Sequence, residues 1–181
     1  MLFEMFSLLG GIIKILIYKL IYFNRISFKN IPKMNNSFKI AIKRKSKLII
    51  GRNFRTRNNV SFRVYNKGSV SIGDNCFMND GCSINCQENI KIGNNVIMGQ
   101  NVIIFDNDHD YKHDINNYIT NPVIIGNNVW IGANTTILKG TKIGDNVVIA
   151  AGTSIIGGDI KPNTLVYTKK ENVEKIIIKK D

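Results

Sequence analysis

The sequence predicts an all-β solenoid: a parallel β-helix of short stacked coils, with a helix at its N-terminus and one loop thrown out of the repeat. Two observations predict it. The first is a six-residue beat in which an aliphatic residue opens each unit, Gly most often follows, and a small or branched residue holds the fifth place. The openers are Ile72, Met78 and Ile84, then Ile92, Met98 and Ile104, then Ile125, Ile131, Ile137, Ile143 and Ile149. This period is neither that of a helix, about 3.6 residues, nor simple strand alternation. Short repeats of this kind signal a solenoid. One short strand cannot bury its apolar residue alone, so coils stack until those residues form a continuous column. Gly and Asn fall at the unit corners, where positive φ is needed, and three units make one triangular coil. The second observation is an interruption. The beat slips by two residues at Glu88–Asn89 and then breaks from Phe105 to Pro122, an ejected loop of about residues 105–122. Rigid scaffolds present chemistry on such loops.

Along the chain this gives residues 1–30 as an apolar and basic helical extension and 31–67 as a basic lead-in with the first coils. Residues 68–166 are the β-helix domain, and 167–181 a C-terminal tail. The first segment, MLFEMFSLLGGIIKILIYKLIYF, carries a narrow polar stripe at Glu4, Ser7, Gly11, Lys14 and Tyr18, at helical spacing. Lys14 and Lys19 interrupt the apolar run, against a transmembrane span. A signal peptide is not expected either, because the start lacks basic charge and no small-residue cleavage site follows. Two readings stay open. The helix packs on the end of the solenoid or on a neighbouring subunit, or it lies in a membrane interface, helped by Arg25, Lys29, Lys33, Lys39, Lys43, Arg44, Lys45 and Lys47. The expected location is the cytoplasm, and on the second reading the inner face of the cytoplasmic membrane.

The net charge of +12 is segregated: 15 of the 25 Lys and Arg lie in residues 1–67, with Glu4 the one acid there. Such a block suits nucleic acid, anionic lipid or a phosphorylated ligand. No nucleic-acid module accompanies it, and no nucleic-acid partner is expected. Cys76, Cys82 and Cys86 read as buried small hydrophobes in a reducing compartment rather than as a disulfide framework or a zinc site.

Candidates for catalysis are few. His109 and His113 are the two histidines, and both fall in the ejected loop with Asp106, Asp108, Asp110 and Asp114. Imidazole titrates near neutrality, so either could act as a general base. A carboxylate could fix its tautomer, or the loop could simply be acidic and solvated. No metal is expected, since two histidines four residues apart supply a zinc site poorly.

The hexads, the DNDH loop, the run NPVIIGNNVWIGANTTILKGTKIGDNVVIAAGTSI and the ending DIKPN resemble the hexapeptide-repeat O-acetyltransferases of the left-handed β-helix fold. Those include galactoside and maltose acetyltransferases and enzymes that modify capsule and lipopolysaccharide. The resemblance implies acetyl-CoA as co-substrate and a homotrimer with sites between subunits. It implies His109 as general base, taking a proton from a sugar hydroxyl that attacks the thioester. It implies the backbone N–H of Ala133 as oxyanion donor, Trp130 as a wall beside the pantetheine arm, and Ala151 as a backbone partner of that arm. Asn79 falls where an acceptor-binding Asn is expected, and Gln87 where the galactoside enzymes place an acid. Gln87, Asp106 and Asp108 are the further acceptor-binding candidates. Lys169 and Lys170, beyond the repeats, could meet CoA phosphates.

The function so implied is acetyl-CoA-dependent O-acetylation of a sugar hydroxyl in a cell-surface polysaccharide such as capsule, O-antigen or a lipid-linked precursor. The alternatives are an N-acetyltransferase acting on an amino-sugar nucleotide, a zinc enzyme resembling the γ-class carbonic anhydrases, and a non-catalytic β-solenoid for binding or assembly.

Overall fold

The computed structural model describes residues 2–43 and 45–168 of the 181-residue chain. Its centre is a left-handed parallel β-helix with three faces, sheets of seven, six and six strands. The first face runs from Ile26–Phe28 to Gly158–Ile160. The second runs from Arg55–Thr56 to Leu165–Val166, and the third from Lys39–Ile42 to Ser154–Ile155. The coils therefore begin at Ile26, far upstream of the clear hexads.

The hexad grammar explains the interior. Openers stack in register, Met78 on Met98 on Ile131 on Ile149, and Ile84 on Ile104 on Ile137 on Ile155. All are buried. Fifth-place residues Val96, Val129 and Val147 fill the spaces between, as do Cys76, Cys82 and Cys86, which are buried and free. Burial pushes the Cys82 thiol up to about 11, and burial with the nearby Asp106 carboxylate pushes Cys86 up as well. Such thiols are poor nucleophiles.

One corner shows how the coils are pinned. Asn53, Asn75, Asn95, Asn128, Asn146 and Asn163 all take φ of 56–59° or 55°, a conformation that Asn tolerates better than most residues. Each Nδ2 donates to the next Oδ1, at 2.9, 3.1, 2.9, 3.0 and 3.0 Å. The ladder also measures the coils: successive rungs are 22, 20, 33, 18 and 17 residues apart. Only the 18-residue coil is three strict hexads. The 33-residue coil contains the insertion. Replacing Asn95 with Ala should cost about 1–2 kcal/mol, from two lost rungs and a β-carbon held at positive φ. Asn95→Gly should cost less. Urea midpoints of the two variants check this, and equal midpoints would remove the backbone argument.

The N-terminal helix α1 (Leu2–Ile21) closes the first coil. Its polar stripe from Ser7 to Tyr18 faces inward. Lys14 Nζ donates to the carbonyls of Asn36 (2.9 Å) and Phe38 (2.6 Å), and Lys19 Nζ to those of Phe23 and Ile26. Burial and the neighbouring Lys39 hold the Lys14 pKa below its ordinary value. Gly11 is buried so close to the first coil that a β-carbon there would lie 1.7 Å from the Met34 carbonyl oxygen. Ile15 is fully buried, and Tyr18 packs on Phe38. A parallel solenoid ends in strands with unpaired backbone groups, and here lysines from the helix meet some of those carbonyls.

Candidate active site

The insertion is an ordered β-hairpin rather than an irregular loop. Asn107–Asp110 pairs antiparallel with Asp114–Thr120, with a register shift between His109 and Asp110. The hairpin leaves the corner between the third and first faces. Two contacts root it. Asp106 is fully buried, and its carboxylate accepts the N–H groups of Gln87 (2.8 Å) and Glu88 (2.9 Å), Asn107 Nδ2 (3.0 Å) and the Cys86 thiol (3.1 Å). The two-residue slip at Glu88–Asn89 is thus fastened to the base of the hairpin. Further out, Lys139 Nζ donates to Asp108 Oδ2.

His109 faces Tyr118 across the hairpin, ring centroids 4.5 Å apart. Its Nδ1 lies 2.6 Å from the Ile115 carbonyl oxygen. A carbonyl can only accept, so Nδ1 carries the proton, and Nε2 of the neutral ring is left with its lone pair. That is the tautomer a general base needs. The orienting group is a backbone carbonyl, none of the four aspartates. His113 instead sets Nδ1 against the Asp110 carboxylate, 2.9 Å away, with its side chain 80% exposed. The two histidines therefore do not converge.

His109 lines a cavity of about 310 Å³ together with Arg63, Tyr65, Asn85, Gln87 and Tyr118. Asp108 and Asn107 also line it. Arg63 stands in register with Asn85, and Asn85 with Phe105, so three coils contribute one row each to its floor. Gln87, an acceptor-binding candidate from the sequence, lies on the cavity wall. Asp108 borders the cavity but is paired with Lys139. Asp106, expected at the acceptor, is corrected: its buried oxygens are taken up by the corner described above. Arg63, Tyr65, Asn85 and Tyr118 were not among the sequence candidates; coil stacking and the hairpin register bring them to the cavity.

The remaining candidates lie elsewhere in the chain. Asn79, Ala133 and Ala151 occupy the corner between the second and third faces, a full coil face away from the hairpin. Asn79 Oδ1 accepts the Asp80 N–H at 2.9 Å. Among the described residues, the amide N–H groups of Ala133 and Ala151 have no protein acceptor. Trp130 is 57% exposed on the outside of the second face. It belongs to an outward column of Phe77, Ile97, Trp130, Val148 and Leu165, stacked in register. One chain therefore does not bring His109 together with Asn79, Trp130, Ala133 or Ala151. Lys169 and Lys170 lie outside the described residues.

Residues 122–157 match the bacterial transferase hexapeptide family model, described as six repeats. That stretch carries the bacterial transferase hexapeptide repeat. No curated protein sequence matches the chain. Among solved structures it is similar to a hexapeptide-repeat containing acetyltransferase from Vibrio cholerae O1 biovar eltor complexed with acetyl-CoA. That likeness is 29% identical with a TM-score of 0.54, over 59% of this chain and 60% of that one. It is similar to a maltose O-acetyltransferase from Clostridium difficile 630, 29% identical with a TM-score of 0.56, over 83% of this chain and 69% of that one. It shares its fold with AntD, an N-acyltransferase from Bacillus cereus in complex with dTDP and 3-hydroxybutyryl-CoA. There the TM-score is 0.68 at 17% identity, over 83% of this chain and 82% of that one. The chain thus spans less than two thirds of the length of the Vibrio enzyme.

Proposed function

We propose that this hexapeptide-repeat protein transfers the acetyl group of acetyl-CoA to a sugar hydroxyl of a cell-surface glycan. The observation that carries the reading is His109, its Nδ1–H tied to the Ile115 carbonyl and its ring on the wall of a polar cavity. The similarity to an acetyltransferase complexed with acetyl-CoA supplies the donor.

The steps follow from the groups present. His109 Nε2 takes the proton of the acceptor hydroxyl while that oxygen attacks the thioester carbonyl carbon. The resulting tetrahedral oxyanion accepts a hydrogen bond from the free Ala133 N–H, a donor fixed before the reaction begins. Collapse breaks the carbon–sulfur bond, and the departing thiolate takes the proton from the imidazolium. The ester and free CoA leave, and the enzyme returns to its starting state. Trp130 and the Ala151 N–H flank the pantetheine arm. Arg63, Asn85 and Gln87 meet the acceptor, with Asn79 beside them across the boundary.

Because His109 and Ala133 sit at different corners of one chain, the complete site requires a second copy. A homotrimer places the hairpin of one copy against the Ala133–Ala151 corner of the next. The exposed apolar column through Ile97 and Trp130 supports such packing, since exposed apolar rows mark interfaces.

The test is free CoA release from acetyl-CoA with a panel of hexoses, N-acetylhexosamines, sialic acid and amino-sugar nucleotides. The expected outcome is turnover with a hydroxyl acceptor and a product cleaved by mild base, as an ester is. A base-stable amide would replace the reading by N-acetylation of an amino-sugar nucleotide. No CoA release and no CoA binding by calorimetry would replace it by a non-catalytic scaffold.

A further inference from the structure

No described residue covers the outward face of α1. Phe6, Leu9, Ile13, Leu16, Ile17 and Leu20 are each 42–78% exposed. Their spacing places them on one side of the helix, opposite the buried Gly11 and Ile15. Helices on soluble proteins ordinarily bury the apolar stripe and expose the polar one. Here the order is reversed. The two lysines of the helix, Lys14 and Lys19, are folded back onto carbonyls of the first coil, and the apolar side faces out. An exposed apolar face this long, about 30 Å for 20 residues, marks a contact surface.

The charge beside it identifies the contact. At the flank of α1 a groove of about 540 Å³ is lined by Leu8 of the helix, by Phe77, and by Lys33, Arg55 and Arg57. Among the described residues these three cations take part in no ion pair, whereas Lys29 and Arg52 are held by Asp74. No helix among the described residues is long and apolar enough to cross a membrane. The apolar face and the free cations thus share one end of the solenoid. A second copy docked through α1 would bring two such sets of cations together, and like charges repel.

We propose that α1 lies flat in the interface of an anionic lipid bilayer. Its outward face enters the acyl-chain boundary, Lys33, Arg55 and Arg57 meet lipid phosphates, and the solenoid stands end-on above. The helix carries the apolar part of the binding, and the coils behind it carry the charge. This does not depend on which acceptor the cavity takes.

The experiment is co-sedimentation of the full-length chain with vesicles of phosphatidylcholine alone or mixed with phosphatidylglycerol. Binding to the mixed vesicles should exceed binding to phosphatidylcholine by more than about tenfold and fall in high salt. Leu9→Glu with Ile13→Glu alters only exposed side chains. It should leave the circular dichroism unchanged and the protein in the supernatant. Lys33→Gln with Arg55→Gln and Arg57→Gln should remove the preference for the anionic vesicles. Two results would overturn the proposal: the Leu9 and Ile13 double variant pelleting as the wild type does, or the wild type pelleting with neither vesicle. A third is a fall in oligomer size of that variant by light scattering without lipid, which would assign the face to a second copy.

Discussion

His109→Ala should lower kcat by about 10²–10⁴-fold, the range for removing a positioned general base. The KM for acetyl-CoA should barely change, because the groups assigned to CoA are Trp130 and the backbone of Ala133 and Ala151. In the chain these stand a full face away from the hairpin. Loss of kcat without loss of donor binding distinguishes a base from a residue that only shapes the cavity. Stability should change little, since His109 is exposed and its one hydrogen bond runs to a carbonyl at the surface. His113→Ala is the control. Its ring reaches Asp110 at the hairpin tip, is largely solvated, and should leave kcat within a few-fold. Steady-state kinetics on both variants decide it. Equal losses in the two would mean that the hairpin matters as a unit and that His109 holds no separate role.

The parts of this molecule that were readable in advance share a cause. From Ile125 to Ile143 the coil is 18 residues, three equal hexads, so the period in space and the period in sequence coincide. The family model matches that stretch. Upstream the coils are 22 and 20 residues long. Unequal faces erase a fixed period even though the coils stack just as well, so residues 31–67 read only as a basic lead-in with the first coils. The same irregularity hid the floor of the cavity. Arg63 and Asn85 are vertical neighbours 22 residues apart, a spacing with no motif attached. His109 was singled out because the chain has 2 histidines, both in the insertion, and because the DNDH loop resembles that of the hexapeptide-repeat O-acetyltransferases. Its orienting partner was not, because a backbone carbonyl leaves no mark on side-chain identity. The sequence left open whether an aspartate orients it, and in the structure the hairpin supplies the Ile115 carbonyl. The polar stripe of α1 was visible, but its direction was not. Periodicity locates a face without saying what it meets, and here the polar face meets the carbonyls of the first coil.

Asp106→Ala should be the most destabilising single change at the site, by about 3–5 kcal/mol. The side chain is fully buried, and four donors converge on its two oxygens. Two of them, the N–H groups of Gln87 and Glu88, belong to the corner where the repeat slips, and no other acceptor receives them among the described residues. A buried N–H left without a partner costs about 1–3 kcal/mol, and Ala leaves both in that state as well as a small void. Asp106→Asn keeps one carbonyl oxygen but turns an NH₂ group towards donors, so it should fall between Ala and the wild type. The effect should also reach the chemistry. The Asp106 carbonyl accepts the Asn121 N–H at 2.9 Å and so closes the neck of the hairpin, while its carboxylate fixes the Gln87 side of the cavity. Displacing His109 by about 1 Å against its partners can cost on the order of 10²-fold in rate. Asp106→Ala should therefore lose activity even at temperatures where it remains folded. Urea midpoints give the stability term, and kcat measured well below the midpoint isolates the positioning term. A midpoint within about 1 kcal/mol of wild type would show that water satisfies the corner, and the peg assigned to Asp106 would have to be given up.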